Sequence, residues 1–289
     1  MNTVAVSLIT VNLNNKIGLE ATINSVLNQS YKNYEFILID GGSQDGSAEL
    51  IEHVSDKLTY WVSEKDNGIY HAMNKGIQQA KGTYCLFLNS GDWLVNNAVL
   101  ATVFSTSPTA DMLIGRCRIS ENGESVFITK PSADLTLKSF IGNTLPHQAT
   151  FIKTALFNRF GLYEEKYKIN ADFAFWIRAI VLGNCSIAAL DVLISDYNLD
   201  GISSSIHENP DIHKEIPLIL KEHFPERVLD DYRSWLAEKQ DQSSVYFDWI
   251  KSKKYRYSVI KLVYKLSRRF TRAVRYVTVK KGDSIPAVE

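Results

Sequence analysis

The first hundred residues of this chain repeat one pattern: a short apolar run, a polar tip, and then apolar positions at helical spacing. Continuous apolar runs are typical of buried strands, and the helical spacing predicts helices between them. Strands that alternate with helices form βαβ units and a parallel sheet. The sequence therefore predicts strands over Val4–Val11, Tyr34–Ile39, Leu58–Val62 and Thr83–Leu88, with helices over Ile17–Ser30, Ser47–Val54 and Ile69–Ala80.

After Phe104 the strict alternation ends, and a mixed sheet is predicted. Two strand-like runs flank the turn Glu121–Glu124 and indicate a hairpin. The fold class that follows is α/β, a Rossmann-like mixed sheet flanked by helices. The elements predicted in this part are strands over Asp111–Ile119, Ser125–Thr129, Ala149–Ile152 and Ile187–Tyr197, and a helix over Ala171–Leu182.

The chain is long enough for one large domain with an appendage. The N-terminus lacks the charged region of a signal peptide, and no apolar run reaches the roughly 18 residues that a spanning helix needs. The three cysteines form no cluster with each other or with histidine, so we expect reduced core thiols in a cytoplasmic protein. We expect one domain over residues 1–224, a connecting helical or irregular segment over 225–250, a basic helix over 251–281 as the C-terminal helical extension, and a tail over 282–289.

The stretch Tyr84–Trp93, YCLFLNSGDW, joins an apolar run to a polar tip with one carboxylate, Asp92. In α/β sheets ligands collect beyond the carboxyl ends of the strands, so Asp92 stands where a ligand is expected. The alternative is an ordinary turn, in which Ser90 or Asp92 caps a following helix over Asn96–Phe104. The stretch alone favours neither interpretation.

The tips of all four predicted strands meet at one edge of the sheet, and this edge is acidic. Asp40 and the segment Glu64–Gly68 lie there beside Asp92. Carboxylates repel a diphosphate unless a cation bridges them, so the edge favours a divalent metal over a bare phosphate. A dinucleotide fold needs G-x-G-x-x-G after the first strand, and a phosphate-binding P-loop needs G-x-x-x-x-G-K; neither is found.

Five ordered motifs between Val4 and Gly201 resemble those of family 2 glycosyltransferases. They read VSLITVNLNN, IDGGSQDGS, SEKDNGIYHAMNKGI, FLNSGD and NADFAFWIRAI. The sequence is similar to bacterial enzymes that build O-antigen, capsule or colanic-acid-like polysaccharides. The resemblance implies a GT-A fold, a nucleotide-diphosphate sugar donor that is usually UDP-linked, a divalent metal (Mg²⁺ or Mn²⁺), inversion at the anomeric carbon and a lipid-linked saccharide acceptor.

The resemblance also implies roles for individual residues. Thr10, Asn12 and Asp40 match nucleoside-binding positions, Asp92 matches the metal ligand, and Asp172 matches the catalytic base. Further candidates for the donor site are Asp66, Gly68, Asn74, Lys75, Asn89 and Ser90, and candidates for contact with the acceptor or the metal are Trp93, His147 and His207.

Several of these assignments have a structural alternative. Asp172 also fits a helix N-cap or a first-turn acid that offsets the helix dipole. Asp40 and the segment Asp66–Gly68 also fit plain turns, because Asp, Asn and Gly are common turn residues. A lone histidine is most often structural, which applies to both His147 and His207.

Four sites depart from the family pattern. The usual D-x-D reads as Asn89–Gly91, which leaves Asp92 as the acid of this motif. Gly41 stands where many relatives have a second Asp, His71 where similar enzymes often have Asp, and Ala171 where Glu often precedes the base. A second hypothesis therefore stands beside the enzyme: a weak or inactive relative that binds a nucleotide or a partner protein at the membrane.

Residues 251–281 carry 12 Lys or Arg and no acid. At about 100° per residue, basic positions from Lys261 to Arg275 fall on one narrow helical face and apolar positions on the other. We expect this helix to lie on an anionic membrane surface, peripherally on the inner face of the plasma membrane. The alternative is a helix docked on its own domain. Nucleic acid is not an expected partner, because no aromatic stacking motif accompanies the charge.

Overall fold

The computed structural model describes residues 4–121, 124–140, 142–198 and 210–251. In the first part of the chain the predicted alternation of strands and helices is confirmed. Its elements are β1 (Val6–Asn12), α1 (Lys16–Leu27), β2 (Tyr34–Asp40), α2 (Ser47–His53), β3 (Tyr60–Ser63), α3 (Ile69–Gln79) and β4 (Tyr84–Phe87).

These four strands are parallel and lie in the order β3-β2-β1-β4. Every residue of β1 is buried, as expected for a central parallel strand with both faces covered. The register pairs Asn12 with Asp40, and Asp40 with Ser63. The polar tips of β1, β2 and β3 therefore lie side by side at one edge of the sheet, as predicted.

The second part of the chain completes a mixed sheet. Its elements are β5 (Asp92–Leu94), α4 (Val99–Phe104), β6 (Met112–Glu121), β7 (Glu124–Ile128), β8 (Thr150–Lys153), α5 (Thr154–Phe160), α6 (Ala171–Trp176), β9 (Ile187–Asn198), α7 (Pro210–His223) and α8 (Glu226–Lys251). The order of the sheet is β3-β2-β1-β4-β8-β6-β9-β5, and β7 pairs with β6 as the predicted antiparallel hairpin. The pairs β4–β8, β6–β8 and β5–β9 are antiparallel, whereas β6 and β9 are parallel.

Two details around Asp92 differ from prediction. Asp92 is not the end of a loop, because it begins the short strand β5 and pairs with Tyr197. Neither Ser90 nor Asp92 caps the following helix, which begins at Val99 behind Ala98 without a side-chain cap. The turn into β5 is made by Gly91, whose φ of 102° lies in the left-handed region that favours glycine.

Helix α6 is fixed by an aromatic cluster. The rings of Phe157 and Phe175 stack with centroids 4.7 Å apart, and Tyr163 packs edge-on against Phe175 at 5.6 Å. Burial of each such side chain contributes about 1.5–3 kcal/mol. The predicted helix continues past Trp176, but its last turn over Ile177–Leu182 is a π-helix, a form often found at functional sites.

The chain divides into two compact units, Met1–Tyr232 and Arg233–Glu289. Helix α8 shows that the segment 225–250, for which the sequence left helical and irregular structure open, is helical. The predicted basic helix over 251–281 and the tail over 282–289 lie outside the described residues beyond Lys251. Among the described helices, none combines the length and hydropathy that crossing a bilayer requires. Cys85, Cys117 and Cys185 are buried free thiols, as predicted.

Candidate active site

Asp40 connects the ends of three strands. Its Oδ1 accepts hydrogen bonds from Asn12 Nδ2 at 2.7 Å and Ser43 Oγ at 2.5 Å, and its Oδ2 accepts one from Ser63 Oγ at 2.6 Å. Burial alone would raise the pKa of Asp40, but these bonds and the Ser43 backbone N–H outweigh it and lower the pKa. Asp40 is fully buried. The structure thus gives this carboxylate an organising role at the edge.

Three predicted donor-site residues carry buried polar atoms without a partner among the described residues. They are Thr10 Oγ1, Asn12 Oδ1 and Asn89 Oδ1. An unsatisfied buried polar atom costs about 1–3 kcal/mol, and such atoms are rare in folded proteins. Thr10 and Asn12 lie on the same face of β1, because side chains alternate along a strand. The carboxyl ends of β1 and β4 therefore present unused hydrogen-bonding capacity.

Asp92 is buried beneath this edge, with 4% of the residue exposed. Burial raises its pKa to about 7, although nearby His147 and a hydrogen bond with Gln148 act in the opposite direction. The backbone carbonyl of Asp92 accepts a hydrogen bond from Thr22 Oγ1 at 2.7 Å, which fixes β5 to α1. The sequence placed Asp92 on an open loop; instead it is an enclosed carboxylate whose ionisation is disfavoured without a nearby cation.

The oxygens of Asp92 and Asn89 are of the type that a divalent cation prefers. In the part of the chain that the structure describes, no three acidic, histidine or cysteine side chains converge on one point. However, Asn89 Oδ1 is an unpartnered oxygen, and the Asn89 backbone N–H is a hydrogen-bond partner of the Asp92 carboxylate. Mg²⁺ is commonly bound by one or two protein oxygens together with substrate phosphates. Asp92 and Asn89 are therefore the residues that would hold it.

Asp172 lies in the first turn of α6, behind the N-cap residue Asn170. It is therefore not an N-cap, but the other structural alternative, a first-turn acid that offsets the helix dipole, agrees with this position. Its Oδ1 accepts hydrogen bonds from Phe173 N at 2.8 Å and Tyr70 Oη at 3.1 Å. Its Oδ2 lies 3.6 Å from His147 Nδ1. The Asp172 side chain is 14% exposed; its Oδ1 accepts two hydrogen bonds, and its Oδ2 faces His147.

His147 joins the two parts of the site. Its Nε2 lies 3.2 Å from Asn89 Nδ2 at the end of β4, while its Nδ1 faces Asp172. The predicted base and the predicted metal loop are thus connected through one imidazole. The structure therefore gives His147 a structural role between the end of β4 and α6, and its predicted contact with the acceptor or the metal stays a prediction.

Tyr70 was not among the predicted site residues. Its hydroxyl also donates to the Ile169 carbonyl, so one proton is shared between that oxygen and Asp172. Burial and then the charge of Asp172 raise the pKa of Tyr70 well above its ordinary value, so it remains a donor. The motif NGIYHAMN contained this residue, but its role depends on packing against a segment some hundred residues later.

Asp66 lies next to Gly41, the position where relatives often have a second acid. A Cβ atom at Gly41 would stand 2.7 Å from Asp66 Oδ2. Asp66 Oδ1 also accepts from the Gly68 backbone N–H at 2.9 Å, a turn bond that leads into α3. The sequence did not decide whether Asp66–Gly68 is a plain turn or part of the site. The structure shows the turn, and it also brings the Asp66 carboxylate to the edge of the sheet.

Among the described residues, the remaining candidates form no side-chain hydrogen bond or ion pair with Asp40, Asp92 or Asp172. Asn74 is buried and bonds the Tyr163 backbone and Glu165, and Lys75 pairs with Glu64 at 2.6 Å. Ser90 is held through its backbone by Val11 and Asn15. Their predicted donor contacts stay predictions. Trp93 lies on the face of β5 opposite to Asp92, because neighbouring strand residues point to opposite sides. His207 lies outside the described residues.

The order of the sheet and the polar site at its carboxyl edge define the class: a nucleotide-diphospho-sugar transferase fold of the GT-A type. The sequence profile described as "Glycosyl transferase family 2" matches residues 7–161, more than half of the chain. The chain belongs to this family, and it is a glycosyltransferase by family.

Curated relatives agree over most of their length. An uncharacterized glycosyltransferase of Mycobacterium tuberculosis strain H37Rv is 29% identical over 237 residues, which covers 73% of this chain and 85% of the relative. A "PGL/p-HBAD biosynthesis glycosyltransferase" of Mycobacterium bovis BCG is 28% identical over 218 residues, which covers 73% of this chain and 84% of that protein.

Solved structures show the same fold. Staphylococcus aureus TarS residues 1–349 superimpose with a TM-score of 0.60 at 23% identity, over 81% of this chain and 70% of TarS. The mannosyltransferase PcManGT from Pyrobaculum calidifontis, solved with GDP-Man and Mn²⁺, gives a TM-score of 0.54 at 13% identity, over 91% of this chain and 80% of that protein. The predicted GT-A fold is confirmed.

Proposed function

We propose that this protein is an inverting hexosyltransferase. It moves a hexose from a nucleotide-diphosphate sugar, UDP-linked, to a hydroxyl of a lipid-linked oligosaccharide in surface polysaccharide biosynthesis. The observation that carries the proposal is the set of unpartnered buried atoms of Thr10, Asn12 and Asn89 at the ends of β1 and β4. Ligands of α/β sheets bind at this edge, and a nucleotide sugar offers the donors and acceptors that these atoms lack.

We propose a position for each part of the donor, and the geometry of the edge supports this assignment. The nucleoside lies at Thr10 and Asn12, where Asp40 fixes the loop that follows β2. The diphosphate lies at Asn89 and Asp92. When bound there, a divalent cation supplies charge neutralisation of the departing diphosphate. TarS, also solved with UDP-GlcNAc and with UDP, and PcManGT, solved with GDP-Man, support a nucleotide-linked donor.

Asp172 acts as the general base. The acceptor hydroxyl oxygen forms a bond to the anomeric carbon, and the bond from that carbon to the diphosphate oxygen breaks with its electron pair. The hydroxyl proton passes to Oδ2 of Asp172, the oxygen that accepts from neither Tyr70 nor the Phe173 N–H. Tyr70 and the Phe173 N–H hold Oδ1, so the carboxylate is oriented before the substrate arrives. One displacement inverts the anomeric configuration.

The proposal is tested with a panel of UDP-, GDP- and dTDP-hexoses in the presence of Mg²⁺ or Mn²⁺, by nucleoside diphosphate release. Asp172→Asn is expected to lose transfer by at least about a hundredfold, the lower range of general-base effects, while binding UDP like the wild type. Asp134→Asn, the same change at an exposed loop residue, is the control. Retained transfer in Asp172→Asn would move the base elsewhere.

One observation favours a second function. Asp92 is the single acid of its motif, and its raised pKa disfavours the charged form. A protein that binds a nucleotide or a partner without turnover, at the membrane, fits this weakened site. Tight UDP binding with no nucleoside diphosphate release from any donor in the panel is the result that supports it over the enzyme.

The location we propose is the cytoplasmic face of the plasma membrane, with peripheral binding through residues 251–281. It is supported by the two-faced basic sequence of that segment and by the lipid-linked acceptor proposed above.

A further inference from the structure

A cavity of about 310 Å³ lies outside the cluster described above, on strands β5, β9, β6 and β7. Its six lining residues form two cross-strand rows. The register aligns Trp93 with Asp196 and Asp196 with Arg118 in one row, and Asn198 with Ser120 and Ser120 with Ser125 in the other. Rows two residues apart share one face of a sheet, so these side chains form one continuous surface.

The floor of the cavity is a buried and fully bonded polar group. Asp196 is 2% exposed, and its carboxylate accepts hydrogen bonds from Arg118 Nε at 2.5 Å and from Ser120 Oγ. A buried carboxylate is costly unless it is paired and hydrogen-bonded, so this arrangement fixes the arginine and the serine in place. About a third of the Arg118 side chain remains exposed. The rest of its guanidinium borders the cavity as a preoriented hydrogen-bond donor.

The chemistry of the lining selects a particular ligand. One wall is the Trp93 indole, a flat apolar surface, and the others are hydroxyl, amide and guanidinium groups. A pyranose ring has the matching properties, because its C–H groups pack on an aromatic face while its hydroxyls bond sideways. Arg118 and Asp196 neutralise each other, which favours a neutral sugar over a phosphate or a uronate. The volume lies at the small end of ligand pockets, the size of one or two sugar units.

We infer that this cavity is a subsite for a neutral hexopyranose unit of the acceptor glycan. Trp93 directly follows Asp92, so the cavity begins at the residue next to the proposed diphosphate site, but on the opposite face of β5. The donor edge of β1 and β4 is already assigned to the nucleotide sugar. A second sugar site so near therefore serves the other substrate. The inference of an acceptor rests on the proposed transfer; the inference of a hexose site does not.

The test uses methyl glycosides of glucose, galactose, mannose and N-acetylglucosamine, measured on the full chain by saturation-transfer NMR with and without saturating UDP. At least one is expected to bind with a Kd in the millimolar range, and UDP should not displace it. Trp93→Leu should weaken this binding at least tenfold. The matched control is Trp61→Leu, which changes another partly buried tryptophan on β3, at the opposite end of the sheet order.

Three results would overturn the inference: no binding of any of the four glycosides, equal binding by wild type and Trp93→Leu, or displacement by UDP. Thermal melting of both leucine variants shows whether they are folded, and Trp93→Phe, which retains an aromatic face, should retain binding. Nucleoside diphosphate release is measured separately. Hexoside binding without nucleoside diphosphate release would support the sugar site and contradict the proposed transferase. Nucleoside diphosphate release without Trp93-dependent hexoside binding would support the transferase and contradict the sugar site.

Discussion

Asp92→Asn should make the protein more stable at neutral pH, and this effect can be calculated from the burial of the carboxylate. The pKa of Asp92 rises from an ordinary 3.8 to about 7 in the folded protein. Because the folded-state pKa is raised, no ionisation cost exists below about pH 4, where both states are protonated. The cost grows as the pH rises towards 7 and is constant above.

The size of the effect follows from the pKa difference. Each tenfold change in acidity is worth about 1.4 kcal/mol, so the full cost is about 4 kcal/mol, of which about 3 kcal/mol develops between pH 5 and pH 8. Asparagine mimics the neutral acid and has no such cost. For a domain of this size the melting temperature changes by about 2–4 °C per kcal/mol. The Asp92→Asn variant should therefore gain roughly 5–10 °C relative to wild type between pH 5 and pH 8.

Differential scanning calorimetry across this pH range in EDTA measures the gain. Asp45→Asn is the control, because hydrogen bonds from Ser47 and the Lys16 N–H overcome burial and lower the pKa of that exposed carboxylate. The contribution of the Asp45 carboxylate to the free energy of unfolding is already complete at pH 5, so the effect of Asp45→Asn should be the same from pH 5 to pH 8. Addition of Mn²⁺ at pH 8 should stabilise wild type and not Asp92→Asn. Parallel pH profiles for wild type and Asp92→Asn would refute the reasoning.

Three other results are expected. Tyr70→Phe, which removes the hydroxyl that Asp172 accepts from, should lower kcat about five- to a hundredfold with unchanged UDP affinity by calorimetry; a loss of UDP binding instead would contradict a positioning role. Gly41→Ala should displace the Asp66 carboxylate and raise the donor KM, with a melting temperature within a few degrees of wild type; an unchanged KM would remove Asp66 from the donor site. Deletion from Lys251 onward should release the protein from phosphatidylserine vesicles in a sedimentation assay, and unchanged binding would disprove the membrane role of residues 251–281.

The βαβ half of the fold was predictable because each of its elements has a local signal. The runs before Asn12, Asp40 and Asn89 are predominantly apolar, and runs of this kind between helical patterns are typical of buried parallel strands. The short strand β5 had no such signal. Three residues that include a buried Asp become a strand because β9, about a hundred residues later, pairs with them.

The candidate site likewise has a part that the sequence predicts and a part that depends on tertiary packing. The edge that collects Asp40 and Asp92 followed from the rule for parallel strands, and the family pattern pointed to Asp172. The depth of Asp92 and the contacts of Tyr70 did not follow, because they depend on how α6 and the segment before β8 fold over the edge. The sequence motif around an Asp does not distinguish a carboxylate exposed at the end of a strand from one buried beneath the sheet edge.

The link through His147 has a consequence for turnover. Asn89 Nδ2 can only donate, so His147 Nε2 accepts that hydrogen bond, and the proton of the neutral imidazole lies on Nδ1, 3.6 Å from Asp172 Oδ2. His147 Nδ1 therefore cannot accept a proton from Asp172, and we expect His147 to position Asp172 and Asn89. The Oδ1 atom of Asn89 is one of the unpartnered atoms of the donor edge. His147→Gln retains a hydrogen-bonding side chain, so this variant should keep kcat and UDP affinity near the wild-type values. A fall in kcat that exogenous imidazole partly restores would contradict a role in positioning alone.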